Sequence, residues 1–199
     1  MANKSLLKTF ILIVAVLFIF KTPAHAGIDT GTPTKYEVRL HTVKLYNGTD
    51  YVTVFDGTSS ALDIASVNGS NQFVGNFLSG LTVPDGTYTE ARIQPHTTFT
   101  INGTVDSGYY TDGNLTDAGN CACVNTAGGT PADCTLTVGS SFVPEKVYSF
   151  STPVVVTNGV ADHKIRVYFD VANSIQHEED GPGSEAIHPL EPACTVSVE

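Results

Sequence analysis

The residues with the most ligand-forming oxygen in this chain run from Asp112 to Asn120. There Asp112-Gly113-Asn114-Leu115-Thr116-Asp117-Ala118-Gly119-Asn120 sets two carboxylates and two carboxamides among glycines. Hard oxygen donors in a Gly-containing loop are what calcium takes, so Asp112, Asn114, Asp117 and Asn120 are the candidate calcium ligands. Their spacing is not that of an EF-hand, and Asn, Asp and Gly also make turns with no ion at all. A second acidic run, His177-Glu178-Glu179-Asp180 with Glu185, reads as a solvated charge cluster. His41, His96, His163, His177 and His188 lack a spacing such as His-Glu-x-x-His that would fix two imidazoles on one element for zinc. No Gly-x-Ser-x-Gly is present to expose a nucleophilic serine, and no catalytic residue is assigned. Tyr109-Tyr110 could form a platform for a sugar, although sugar-binding sandwiches lean on exposed Trp and the chain has none.

Four cysteines, Cys121, Cys123, Cys134 and Cys194, are the other reactive group. Cys121 and Cys123 are too close in sequence to pair with each other in ordinary disulfide geometry. Two disulfides are therefore expected, either Cys121–Cys134 with Cys123–Cys194 or Cys123–Cys134 with Cys121–Cys194. Either pattern staples the loop Ala127-Gly128-Gly129-Thr130 and ties the C-terminal strand to it. A thiolate metal site would want paired Cys-x-x-Cys spacing.

The expectation of disulfides follows from the first 26 residues. Asn3, Lys4 and Lys8 precede an apolar run from Phe10 to Phe20, and then comes Lys21-Thr22-Pro23-Ala24-His25-Ala26. A basic start, an apolar core and an Ala-x-Ala site make a secretory signal peptide, cleaved after Ala26. The run is shorter than the roughly 20 residues of a transmembrane helix, so no membrane span is expected once it is removed. Exported chains meet oxidising conditions, in which thiols pair. Residues 27–199 retain seven Lys+Arg against twenty Asp+Glu, a formal charge of −13. Such an anion repels phosphate backbones, which excludes a nucleic-acid partner.

The elements that position these groups read as strands. Four Asn-Gly pairs, at 47–48, 68–69, 102–103 and 158–159, punctuate runs of Thr, Val, Tyr, Phe and Ile. Asn-Gly between extended runs is the strongest short hairpin signal. From Val160 to Val171 the odd positions Ile165, Val167, Phe169 and Val171 are apolar, against Asp162, Lys164, Arg166 and Asp170. One face of that strand is buried. A two-residue turn at Asn158-Gly159 then pairs Val154 with His163, Phe150 with Val167 and Tyr148 with Phe169. Pro153 removes a ladder donor on the way. A second hairpin is expected from Lys35 to Phe55 around Asn47-Gly48, and a third at Asn102-Gly103. Further strands are expected at Phe73–Leu78, Thr87–Gln94, Thr97–Val105, Cys134–Val138 and Thr195–Val198. Ser107 to Pro131 and Gln176 to Pro192 read as irregular. Short strands at this spacing predict an all-β, antiparallel β-sandwich, stapled by disulfides, as one domain over 27–199 with a Cys-bearing loop insert at 107–134.

Three segments occur together: Leu81-Thr82-Val83-Pro84-Asp85-Gly86-Thr87-Tyr88-Thr89-Glu90-Ala91-Arg92-Ile93, Val167 to Ile175, and Ile187-His188-Pro189-Leu190-Glu191-Pro192. The first resembles the Pro-x-Gly-x-Tyr opening of a strand in transthyretin-like and carboxypeptidase-regulatory-like sandwiches. The set is similar to a family of secreted bacterial domains of unknown function on that fold. This resemblance implies a fold and a location, and brings no catalytic residue. The sequence thus points to an exported, secreted, periplasmic or cell-surface, non-catalytic structural or binding module. Its alternatives are a fibre-like subunit that self-assembles through sheet edges and a calcium-dependent adhesin or carbohydrate-binding module. A surface or matrix molecule would be the partner.

Overall fold

A computed structural model describes residues 29–67, 81–117, 119–179 and 185–199. The expected signal peptide, the expected strand Phe73–Leu78 and the Asn68-Gly69 pair lie outside the described residues. In chain order the strands are β1 (Asp29–Gly31), β2 (Pro33–Val38), β3 (Leu40–Tyr46), β4 (Tyr51–Asp56), β5 (Leu62–Asp63), β6 (Gly86–Pro95), β7 (Thr98–Gly103) and β8 (Tyr110–Asp117). They continue with β9 (Asn120–Val124), β10 (Cys134–Thr137), β11 (Lys146–Thr157), β12 (Val160–Ala161), β13 (Ile165–Asp170), β14 (Ile175–Glu179), β15 (Glu185–Pro189) and β16 (Ala193–Val198). Every ladder between these strands is antiparallel. The expected all-β class is therefore the observed one.

The strands form four sheets, ordered β1-β14-β15-β9-β8, β10-β7-β2-β5, β12-β11-β6-β3-β4 and β13-β16. Two of these share one continuous ribbon. β2 pairs with β7 and β3 pairs with β6, so the segments 33–46 and 86–103 run side by side from one sheet into another. The crossing lies at Arg39 and His96, where the His96 N–H donates to the Arg39 carbonyl at 2.8 Å. His41 is an extra residue there, because Leu40 pairs with Pro95 and Thr42 with Gln94. Such a bulge bends a strand and is a common way to turn the corner between sheets. Local polar groups hold it: the Thr98 N–H donates to His96 Nδ1 at 3.1 Å, and His41 Nδ1 lies 3.0 Å from the Gly57 carbonyl.

The bend gives the molecule two cores. On one side Tyr36, Phe99, Ile101 and Leu136 pack against Cys121, Ile175 and Ile187, joining the β10-β7-β2-β5 sheet to the β1-β14-β15-β9-β8 sheet. On the other side Leu45, Tyr88, Ala91 and Val156 form a smaller core with Phe150 and with Ile165 of β13. Burial of each such large apolar side chain contributes about 1.5–3 kcal/mol. The alternation read at Ile165, Phe169 and Val171 is matched, since all three pack inward.

Several expectations need correction. The Lys35–Phe55 hairpin is real only from Leu40, because β2 belongs to the other sheet. Its turn has four residues, with Tyr46 opposite Tyr51 and Asn47 Oδ1 accepting from the Thr49 and Asp50 N–H groups. Asn102-Gly103 is not a turn: Gly103 faces Pro33 within β7, where a Cβ would meet Ile175 Cδ1 at 2.7 Å. The chain turns later, at Gly108, with φ 89°. Ser107–Pro131 and Gln176–Pro192 are not irregular throughout, for they contain β8, β9, β14 and β15.

The Asn158-Gly159 turn has the expected form, with φ 53° and 73°, and pairs Thr157 with Val160. The long hairpin beyond it is not made. The Asp162 carboxylate accepts the Val155 N–H at 2.8 Å, which ends that ladder. β11 pairs instead with β6, and β13 with β16, placing Phe169 opposite Cys194.

Gly86 opens β6, and Tyr88, 1% exposed, donates its hydroxyl to the Pro84 carbonyl at 2.8 Å. Between them Asp85 accepts the N–H groups of Asn158 and Gly159, both at 2.9 Å, and so docks the type I′ turn. Those two bonds hold the Asp85 carboxyl below its ordinary value, the Gly159 bond first. A depressed folded value stabilises the fold above the unfolded pKa, and that stabilisation is lost as pH falls through the folded value. Asp85→Asn is expected to remove this part of the acid-induced loss of stability, so the difference between wild type and variant shrinks on acidification. Melting curves of the two proteins from neutral pH downward measure it.

Candidate functional site

Beside the bend lies a cavity of about 730 Å³. The ribbon supplies Tyr36, Val38 and Leu40 from one segment and Ile93, Pro95 and Phe99 from the other. Facing them are Tyr148 of β11, Val167 and Phe169 of β13 and Cys194 of β16, with residues of the segments Val138–Lys146 and His188–Pro192, Asn120 of β9 and Glu178 of β14 also on the wall. A concave, mainly apolar space of this size is in the range of small-molecule sites. It exists because β13 left the Asn158-Gly159 hairpin: Tyr148 and Phe169 both face inward as the alternation requires, yet they meet across open space and not as a ladder pair.

Few polar groups line it, and most are already engaged. The Tyr36 hydroxyl donates to the Leu190 carbonyl at 2.9 Å. The Lys146 ammonium is 2.9 Å from Glu191. The Tyr148 hydroxyl bonds the Cys194 sulfur, and burial followed by that bond pushes the phenol well above its usual range. Burial likewise raises the Cys194 thiol, with the Tyr148 bond opposing it and Glu191 adding to it. His188 differs, for its Nδ1 is buried without a hydrogen-bond partner and lies 3.8 Å from Glu178. Phe142, in a short 3₁₀ turn at the cavity, is 79% exposed. An exposed aromatic ring beside an apolar space is a feature of binding surfaces.

Of the residues singled out from sequence, Asn120, Glu178, His188 and Cys194 line the cavity, whereas Asp112, Asn114 and Asp117 do not. Asp112, Asn114 and Asp117 lie on β8, and Asn120 opens β9. Asp112 Oδ1 accepts the Asn114 N–H at 2.9 Å and Asp117 Oδ1 the Gly119 N–H at 2.8 Å, so each carboxylate closes a turn on its own backbone. Asn120 Nδ2 donates to Asp117 Oδ2 at 3.1 Å. Among the described residues no group of three or more His, Cys, Asp or Glu side chains converges as metal ligands would. Tyr110 is buried against Gly129, and Tyr109 stacks on His177 at 4.2 Å, so the pair forms no exposed platform.

Within the acidic run, His177 and Glu185 are not simply solvated, and Asp180 lies outside the described residues. His177 Nε2 is 2.6 Å from Glu185 and its Nδ1 3.9 Å from Asp29, and the side chain is 12% exposed. Asp29 in turn accepts from the Ser107 hydroxyl and N–H. This cluster ties β1 and the Ser107 turn to β14 and β15. Ser107 faces a carboxylate and not the imidazole, so the cluster lacks the serine–imidazole contact of a nucleophilic pair.

Cys121 and Cys134 are joined, with Cα atoms 6.0 Å apart. The expected second bridge is not formed: Cys123 and Cys194 are free thiols, on β9 and β16 of separate sheets. The C-terminal strand is held by its ladder with β13, not by a staple to the Gly128-Gly129 loop. Burial, then Glu185 and Asp112, push the Cys123 thiol up to about 12. A native disulfide belongs to an oxidising, extracytoplasmic compartment. No helix among the described residues is long and apolar enough to cross a membrane.

The chain matches no family model, no curated protein and no solved structure. Sequence noted Asn120, Glu178 and His188 without bringing them together and missed Lys146, because all four sit in strands whose polar character looks like surface. The usable signal was the inward set Tyr148, Val167 and Phe169.

Thiol titration checks the cysteine arrangement. Two thiols per chain are expected in denaturant without reductant, and Cys123 should resist alkylation in the native protein at mildly alkaline pH. Replacing both Cys121 and Cys134 by Ser should cost about 3 kcal/mol in urea unfolding, from a closed loop of this size.

Proposed function

We propose that this chain is an exported, non-catalytic binding module that holds an apolar ligand in the cavity beside its bent ribbon. The observation that carries the reading is the 730 Å³ space itself, walled by Val38, Leu40, Phe99, Val167 and Phe169. The Ala-x-Ala signal at 24–26, the Cys121–Cys134 bridge and the acidic surface support the location. The resemblance of Pro84-Asp85-Gly86-Thr87-Tyr88 to secreted transthyretin-like domains supports it too. Binding of a neutral environment-sensitive dye, Nile red, checks the reading. One saturable site with blue-shifted emission is expected. Val167→Trp, which fills the cavity, should weaken binding roughly tenfold or more while the circular dichroism spectrum is kept. Absence of saturable binding to wild type overturns it.

One observation favours a second reading, assembly of copies by strand addition. β4, Tyr51-Val52-Thr53-Val54-Phe55-Asp56, is the last strand of its sheet and carries neither Lys nor Pro. Such an edge is a template for another strand. Sedimentation should then show concentration-dependent association that Thr53→Lys disperses, and monomers alone at every concentration would exclude this route.

A further inference from the structure

Resting on the cavity reading, we infer that the ligand is an apolar chain or ring system carrying a hydrogen-bond-donating head, an alcohol or an amine, that meets His188 and Glu178. A carboxylic acid of the same size is the molecule this site rejects.

The polar groups on the wall that lack a protein partner set the head group. Of the polar side chains on its wall, Tyr36, Lys146 and Tyr148 already have partners within the protein. Four buried side-chain polar atoms lack a partner among the described residues, and only one of them, His188 Nδ1, belongs to a residue lining the cavity. A buried polar atom with no partner costs free energy that a ligand atom can recover. Glu178 is the nearest acid, at 3.8 Å, too far for a hydrogen bond. The ladder explains the juxtaposition: Gln176 is opposite His188 and Glu178 opposite Ala186, so Glu178 and His188 are diagonal neighbours on one face.

Charge sets the sign. The ionic groups that line the cavity are Glu178, Glu191, Lys146 and His188, and the only ammonium among them is already paired with Glu191. A carboxylate head would therefore face Glu178, and the one ammonium on the wall is already held by Glu191, on a chain of formal charge −10. A hydroxyl can donate to Glu178 while accepting from His188 Nδ1 where that nitrogen carries the hydrogen, or donate to His188 Nδ1 where it does not. An ammonium can donate to both when the imidazole presents its lone pair. Glu178 is a rim residue with its side chain 48% exposed, which places the head at the mouth and the apolar body against Leu40, Phe99 and Phe169.

The experiment displaces bound Nile red with decanol, decylamine, decyl methyl ether and decanoate, each below its aggregation concentration, on wild type, His188→Leu and Val167→Trp. Alcohol and amine are expected to displace the dye at concentrations roughly tenfold below the ether and decanoate, as one recovered hydrogen bond to a charged or buried group allows. In His188→Leu, with each displacement referred to that variant's own Nile red affinity, the preference of alcohol over ether is expected to be lost. Equal displacement by alcohol and ether overturns the head-group assignment, as does a ranking unchanged in His188→Leu, while leaving the cavity reading in place. An amine advantage that salt abolishes, with alcohol and ether alike, also overturns it, for it reports only the acidic surface. No saturable dye binding to wild type overturns both readings together.

Discussion

The bend between Arg39 and His96 is the constraint from which the rest of this structure follows. A straight ribbon of 33–46 against 86–103 would present one face to one opposing layer. Inserting His41 rotates the ribbon, so that Tyr36 and Phe99 pack against β14 and β15 while Leu45 and Ala91 face Ile165 of β13. The backbone at the corner is fully engaged: Arg39 accepts from His96, the Leu40 N–H donates to the Ser59 hydroxyl at 2.8 Å, and the Ser59 N–H returns to the Leu40 carbonyl at 3.0 Å. Buried amides with no partner would make such a corner costly. The two histidine rings meet edge to face at 6.3 Å.

A corner between two cores cannot be filled from both sides at once. Residues before it are committed to the first core and residues after it to the second, and the space at the turn is lined by side chains belonging to each. Tyr36 and Phe99, whose rings meet edge to face at 6.1 Å, stand at that boundary. β13 then spans the gap, with Ile165 in the second core and Phe169 against the first. The cavity is thus a consequence of topology, and a ligand of matching shape would bury apolar wall at roughly 25 cal/mol per Å² without moving either core.

Much of the fold was legible because the chain states its periodicities openly. The Asn158-Gly159 turn, β6, β7, β10 and β16 all fall where turn chemistry and β-branched runs put them. What escaped was a whole sheet, β1-β14-β15-β9-β8, and the reason is compositional. Thr111-Asp112-Gly113-Asn114-Leu115-Thr116-Asp117 and Gln176-His177-Glu178-Glu179 look like loops because an antiparallel sheet with one wet face needs little apolar content. Its inward residues are few, Cys121, Ile175 and Ile187 among them, and all three are fully buried. Asn102-Gly103 misled for the opposite reason: the glycine is needed for the close approach of Pro33 and Ile175, and not for a left-handed turn. The cavity was illegible because alternation identifies which side chains point inward but not whether the opposing layer reaches them.

The cysteines show how sequence parity can mislead where burial decides. An even number of cysteines in an exported chain argues for complete pairing, yet a disulfide also needs Cα atoms within about 7 Å of each other. Cys121 and Cys134 satisfy this because β9 and β10 flank the same core. Cys123, two residues further along β9, is drawn to the side of Glu185, while Cys194 is fixed opposite Phe169 by the β13 ladder. Neither can leave without breaking its strand pairing. Their survival as thiols in an oxidising compartment then rests on chemistry: the thiolate is the reactive form, and desolvation by the core suppresses it in both. Cys194 is the less protected of the two, because the Tyr148 hydroxyl partly offsets that suppression and the cavity gives solvent a path to it. An occupied cavity would close that path, so the same ligand that fills the space would also shield the Cys194 sulfur.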